Sequence, residues 1–243
     1  MNHVRIAATI TSAVTVLGLT AASAGALATP KSLAASSTGN DTAKLKLIQS
    51  RGNNEISRRL TTLQGLSSKI SSATKLSSGD QSSLSAEVND EITGLTALKT
   101  KLSADTTVAD AKADTQSIIT DYRVYVLIVP KVNLVKVADD QQAAETKLSD
   151  LIPKLQSRVD NAKAAGKNVG TMQDALNDLT KQINAAQAVS SSVESSVIGL
   201  QPSDYNTDHK VLSGYRDQLK TAQTDIRAAV SDANSVVNKL KNA

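Results

Sequence analysis

Between Leu212 and Leu240 the apolar residues fall at uninterrupted steps of three and four: Leu212, Tyr215, Leu219, Ala222, Ile226, Ala229, Ala233, Val236 and Leu240. A helix with one buried stripe gathers such residues on one side, and the spacing is that of a coiled-coil seam. The same rhythm runs through Met172, Leu176, Leu179, Ile183, Ala186, Val193, Val197 and Leu200, and through Leu84, Val88, Ile92, Leu95, Leu98 and Leu102. It is also present in Leu45, Ile48, Ile56, Leu60, Leu63, Leu66 and Ile70. There Gly52 weakens the early turns by about 1 kcal/mol relative to Ala. A chain with this pattern over most of its length is expected to be all-α.

Four short breaks punctuate the pattern. "LSSGDQSS" (76–83) combines Gly with helix-starting Ser and Asp, and "SADTTVAD" (103–110) offers Asp105 or Thr106 as an N-cap. "AAGKNVGT" (164–171) holds two glycines, and "LQPSDYNTD" (200–208) a proline among capping residues. Five helical pieces follow: roughly 41–76, 80–103, 106–165, 170–200 and 206–241. The third is the longest, roughly 90 Å if straight at 1.5 Å per residue. Short breaks favour antiparallel neighbours. The expected architecture is therefore an elongated antiparallel bundle, in which two three-helix bundles share one long kinked central helix in a spectrin-repeat-like layout. The domain division is 44–130 for the N-terminal bundle and 131–243 for the C-terminal one.

"DYRVYVLIVPKVNLVKVADD" (121–140) resists this pattern, being dense in apolar and β-branched residues around Pro130. A strand there would leave its backbone groups unpaired, since no second strand candidate exists. A membrane-active tongue over Val124–Val137 is the alternative, although the run carries Lys131, Asn133 and Lys136 and is too short to span a bilayer alone. The helical phase continues across it, through Ile118, Tyr122, Tyr125 and Val129, then Ala138, Gln141, Glu145, Leu148 and Ile152. That favours a helix buried where the two bundles meet, kinked by Pro130, with Leu127 at its centre.

The first 28 residues read as a secretory signal peptide: Arg5, an uncharged apolar stretch from Ile6 to Thr20, then small-x-small sites ending at Ala24 and Ala28. Cleavage after Ala28 is expected, with Ala24 the alternative and a retained anchor a third possibility. Residues 29–43 read as a flexible Ser/Thr/Ala-rich linker. No later segment could span a bilayer, so the expected location is extracellular or in the cell envelope. The chain has no cysteine, which leaves no disulfide framework and nothing to carry a lipid anchor.

Set aside Arg5 with the signal, and 26 of the 27 basic residues face 23 acidic ones. With four tyrosines, no Phe and no Trp, the chain also offers no platform for stacking bases, so no nucleic-acid partner is expected. His3 leaves with the signal, and His209 would sit in the first turn of the last helix. One histidine and no cysteine give Ser-His-Asp or Cys-His catalysis and Cys/His zinc sites almost no material. No enzyme activity, cofactor or metal is expected. The pairs Glu87 with Glu91 and Asp110 with Asp114 share helix faces and read as solvated. Arg51, Glu55 and Arg59 read as an ion-pair ladder. Tyr122, Tyr125 and Tyr215 could cluster at the junction beside Leu127, giving a small-ligand pocket.

Several segments together, "RRLTTLQGLSSKI", "EITGLTALKTKL", "DYRVYVLIVPKVNLVKVAD", "LIPKLQSRVDNAKAAGKNV" and "HKVLSGYRDQLKTAQTDIRAAVSDANSVVNKLK", resemble an uncharacterised family of exported bacterial, coiled-coil-containing proteins. The resemblance covers Leu45 to Lys241, and its most specific part is the arginine–aromatic–Pro-Lys centre; this chain reads "KVADD" where that centre ends. It implies an extended helical fold and export, and brings no activity or functional residues. The expectation is an exported, non-enzymatic structural or interaction protein whose partner is a protein or cell-envelope component. A membrane-active protein and a small-ligand-binding bundle are its rivals.

Overall fold

The stretch that reads as strand, tongue or helix is helical from Val124 onward: a π-helical turn, Val124–Ile128, runs into an α-helix that begins at Val129. The computed structural model describes the backbone of residues 31–242 and the side chains of residues 39–242. Gly39–Ala243 forms a unit of its own. In chain order the helices are α1 (Lys31–Ser71), α2 (Ser78–Ala104), α3 (Val108–Thr120), the π turn, α4 (Val129–Ser149), α5 (Ile152–Ala164), α6 (Gly170–Ile198), α7 (Pro202–Thr207) and α8 (Tyr215–Lys241). No residue among those described is in a strand, and no described helix is long and apolar enough to cross a membrane.

The expected signal peptide and its cleavage sites lie outside the described residues. The expected linker, 29–43, differs from what is found: α1 already begins at Lys31. No proline follows Pro30 in this region, and Ala and Lys offset the weak helix formers Ser and Gly.

The long central piece is also divided. α3 ends at Thr120, and Arg123 takes φ 44°, in the left-handed region that favours glycine. The expected kink at Pro130 therefore falls upstream of it. In a continuous α-ladder the proline ring would meet the Val126 carbonyl. The preceding turn is instead widened, with the Val129 N–H donating to the Val124 carbonyl, and Pro130 occupies the second position of α4. No intrahelical donor is needed there. Pro153 has the same position in α5, after a break at 150–151.

The helix starts follow from capping. The Ser77 hydroxyl accepts the Asp80 N–H of α2 at 3.0 Å. For α3 the cap is Thr107, whose hydroxyl accepts the Asp110 N–H at 3.1 Å, and not Asp105 or Thr106. His209 lies in the turn 209–214, with its ring 5.2 Å from that of Tyr205, and not in the first turn of a helix.

Chain directions can be read from side-chain ties. Gln49 of α1 donates to the carbonyls of Leu102 and Asp105, and Gln81 to that of Ile70, so α1 and α2 are antiparallel. Gln142 and Glu145 of α4 meet Glu194 and Ser190 of α6, again antiparallel. Lys239 of α8 reaches the Thr171 carbonyl at the start of α6. α4 and α8, both antiparallel to α6, run parallel to one another.

Apolar side chains gather in two clusters. One combines Ile56, Leu63 and Ile70 of α1 with Leu84, Leu95 and Leu102 of α2, Ile118, Leu127, Val135, and the end of α6 at Val193 and Val197. The other holds Leu155 and Val159 of α5, Leu176 to Ala186 of α6, and Ala222 to Val236 of α8. The seam expected in α8 is the buried one: Leu219, Ala222, Ile226, Ala229, Ala233 and Val236. Gly52 has a packing role beyond its helix penalty. A Cβ there would lie 2.5 Å from Leu102 Cδ2 and 3.1 Å from Thr115 Oγ1, so its bare backbone lets α1 approach α2 and α3.

Leu127 is fully buried in the first cluster. Leu127→Asp, which places a carboxylate there without a partner, is expected to lower unfolding free energy by more than about 4 kcal/mol in chemical denaturation. A midpoint close to that of the unaltered protein would contradict this packing.

Candidate functional site

The candidate residues Tyr122, Tyr125, Leu127 and Tyr215 do not converge on one pocket. Tyr122 is half-buried, with its ring against the backbone of Gly94, where a Cβ would come within 2.8 Å of the ring. Tyr215 packs on the first core cluster from the start of α8, and Leu127 lies inside that cluster. Tyr125 is 45% exposed, with the Arg59 guanidinium 4.9 Å from its ring centroid. It borders a small recess of about 90 Å³ with Arg59, Ile119 and Arg123. Arg59 also pairs with Glu55, which lies 3.7 Å from Arg58 as well.

A larger groove, about 510 Å³, opens between α4 and α8. Its origin is local sequence periodicity. Pro130, Asn133, Leu134, Val137 and Gln141 share one face of α4, while Arg216, Leu219, Lys220 and Gln223 share one face of α8. Leu212, from the turn before α8, closes the apolar floor with Leu134, Val137 and Leu219. The volume is in the range of small-molecule sites, and the mix of apolar walls with a few polar groups is what such sites use. No tyrosine and no carboxylate is among its lining residues. Arg216 and Lys220 supply positive charge at its lip. Lys220 lies 3.0 Å from Asp217, an exposed pair that contributes little.

Gln141 forms part of the groove wall and is 4% exposed. Its Nε2 donates to the Leu219 carbonyl at 2.8 Å, which ties α4 to α8, while its Oε1 has no partner. The helical phase places Gln141 and Glu145 on the buried side of α4, as found. Glu145 accepts from the Ser190 hydroxyl at 3.0 Å, and burial raises its carboxyl above the ordinary range.

The pair Glu87 and Glu91 corrects the sequence reading. Both are half-buried on α2, and Glu87 pairs with Lys131, whose side chain is wholly buried. The Lys131 ammonium donates to Glu87 Oε1 at 2.6 Å, to the Ile198 carbonyl at 3.3 Å and to the Leu200 carbonyl. Burial lifts the Glu87 carboxyl despite this bond. Glu91 is pushed to about 8, first by burial and then by the charge of Glu87, and its Oε2 has no partner. Asp114 is likewise buried, not solvated, and bonded by Lys101 at 2.6 Å.

A second acidic group went unnoticed in the sequence because its members come from three helices. Carboxylate oxygens of Asp80, Asp139 and Glu194 all lie within 4.8 Å of one another. Asp139 is pushed to about 6, mainly by burial and by Asp80, against the Ser77 N–H that donates to it at 2.7 Å. Such a cluster can share a proton or a hard cation. Comparison of the chain with family models, with curated proteins and with solved structures gives no match.

The raised carboxyls set a pH dependence. An acid whose folded-state pKa is raised stabilises the fold fully below its ordinary value, and that contribution declines as pH climbs to the folded value. For Glu91 the window runs from 4.5 to about 8. The melting temperature is expected to fall by several degrees across this range, and Glu91→Gln should flatten the decline. An equally steep decline in Glu91→Gln would rule out Glu91 as its source.

Proposed function

We propose that this chain is an exported, non-enzymatic helical binding protein that holds a small, largely apolar ligand in the groove between α4 and α8. The groove carries the reading. It joins apolar floor residues from two helices and a loop with polar groups confined to its wall and lip. That shape suits recognition better than a purely structural role, which would require only solvated helix faces. The resemblance to exported coiled-coil proteins and the signal-like N-terminus support export. Within this proposal the two core clusters belong to two three-helix bundles in a spectrin-like arrangement, and the envelope is where the ligand is met.

The test is saturable binding of an uncharged solvatochromic dye, Nile red, to the purified protein. Val137 lines the groove and is 42% exposed, so Val137→Glu is tolerated by the fold while placing a charge on the apolar floor. Dye affinity is expected to drop at least about tenfold in that variant, with the melting temperature nearly unchanged. Failure of the unaltered protein to saturate, or equal binding by the variant, would remove the groove as the site. The export part predicts that protein recovered outside the producing cells begins at Thr29 or Gly25. Recovery only of chains that begin at Met1 would refute it.

A further inference from the structure

We propose that the seam where α2 meets α4 and α6 is a proton-operated latch, closed while its carboxyls hold protons and opened, with the helices intact, as they ionise. The groove between α4 and α8 plays no part in it. The seam sets five carboxylates, Asp80, Glu87 and Glu91 of α2, Asp139 of α4 and Glu194 of α6, against one ammonium, Lys131. Between them Leu84 and Val88 of α2 are buried in the first core cluster with Val135, Val193 and Val197, and these apolar contacts hold the seam shut.

The geometry at Lys131 gives the latch its direction. An ammonium has three N–H donors. Those of Lys131 go to Glu87 at 2.6 Å, to the Ile198 carbonyl at 3.3 Å and to the Leu200 carbonyl, which leaves none for Glu91. Glu91 Oε2 is buried and has no partner. A protonated Glu91 can sit there, whereas a charged one lacks both a donor and water. Ionisation therefore requires Lys131 to leave an α6 carbonyl or α2 to move outward and admit water. Either movement undoes the tie between α2 and α6. Burial and the Glu87 charge, with Asp90, oppose ionisation of Glu91, and together they outweigh the pull of Lys131. Tyr122, with Asp121 beside it, also faces Glu91.

Two turns earlier on α2, Asp80 meets Asp139 and Glu194, with carboxylate oxygens within 4.8 Å of one another. Among the described residues the donors reaching this group are the Ser77 N–H on Asp139, at 2.7 Å, and Gln142 on Glu194, at 3.2 Å. The nearby lysines are engaged elsewhere: Lys136 and Lys75 lie 2.7 and 3.9 Å from Asp140. Loss of protons here repels α2 from α4 and α6 as it does at Glu91.

In the open form these acids are hydrated and return to their ordinary values. Each then favours opening as pH rises from its ordinary value to its closed-state one, and no further. The window is 3.8 to about 6 for Asp139 and 4.5 to about 8 for Glu91. Because the chain has no cysteine, pulsed electron paramagnetic resonance on nitroxide pairs in the full protein can follow the opening. Ser83→Cys with Ser196→Cys labels exposed positions of α2 and α6, and Ser196→Cys with Thr224→Cys labels α6 and α8. A chelator is kept present so that protons alone neutralise the acids. From about pH 5 to about pH 9 the α2–α6 pair should gain a longer-distance population. Its ratio to the short one should rise by up to about tenfold per pH unit and level off above about 8. The α6–α8 distance and the helical circular dichroism should stay constant. Glu91→Gln, which imitates the protonated acid, should lose most of the rise between about 6 and about 8. An α2–α6 distance unchanged over the whole range would overturn the latch. So would an equal rise in Glu91→Gln, or lengthening seen only with loss of helical signal or equally in the α6–α8 pair.

Discussion

The ammonium of Lys131 holds together parts of the chain that are far apart in sequence. It sits at zero exposure, and its three donors go to Glu87 on α2 and to the carbonyls of Ile198 and Leu200 at the end of α6. A buried cation is unfavourable unless its donors are met, so α2, α4 and α6 must keep the relative positions that meet them. The Ile198 carbonyl, at the last position of α6, gains a partner where the helix has run out of its own donors, and the Leu200 carbonyl gains one just beyond it. The connection that leaves this point leads to α7 and the turn carrying Leu212, and then to α8. The groove depends on where that connection places α8 against α4.

Lys131 can occupy this position because of how the chain enters α4. Pro130 fits the first turn of a helix and not its middle, and the widened turn Val124–Ile128 leads the chain into that first turn. The strained Arg123 upstream is held on both sides. Its Nε donates to Asn206 Oδ1 at 2.6 Å, and Asn206 Nδ2 donates to the Thr120 carbonyl at 2.8 Å. The guanidinium also lies 5.3 Å from the Tyr205 ring. Short α7 thus clamps the break between α3 and the π turn, and the backbone strain at Arg123 persists because its surroundings over-determine it.

The helical periods were legible, and so was the burial of Gln141 and Glu145, because both fall in phase with the apolar residues of α4. Arg216 and Lys220 carry no signal of their own in the sequence; only the α4 face beside them makes them part of a groove. The carboxylates misled for the opposite reason. Glu87 and Glu91 are spaced like a solvated pair, and nothing near them in sequence announces that Glu87 pairs with a buried lysine 44 positions later or that Glu91 is half-buried one turn on. The tyrosines were attractive as the only aromatic groups, yet their separate contacts with Gly94, Arg59 and the first core cluster keep them from forming one pocket.

Taken alone, the sequence determined the all-helical class, the main breaks and the buried stripe of each helix. These depend on residues within a few turns of one another, through 3-4 spacing, capping side chains and proline. Tertiary structure alone decided where the long central piece divides, which carboxylates lose water, and that a groove opens between α4 and α8. Those features rest on contacts between residues 40 to 80 positions apart, such as Lys131 with Glu87 and Gln141 with Leu219. Local periodicity can say which face is buried, but not which distant face it is buried against.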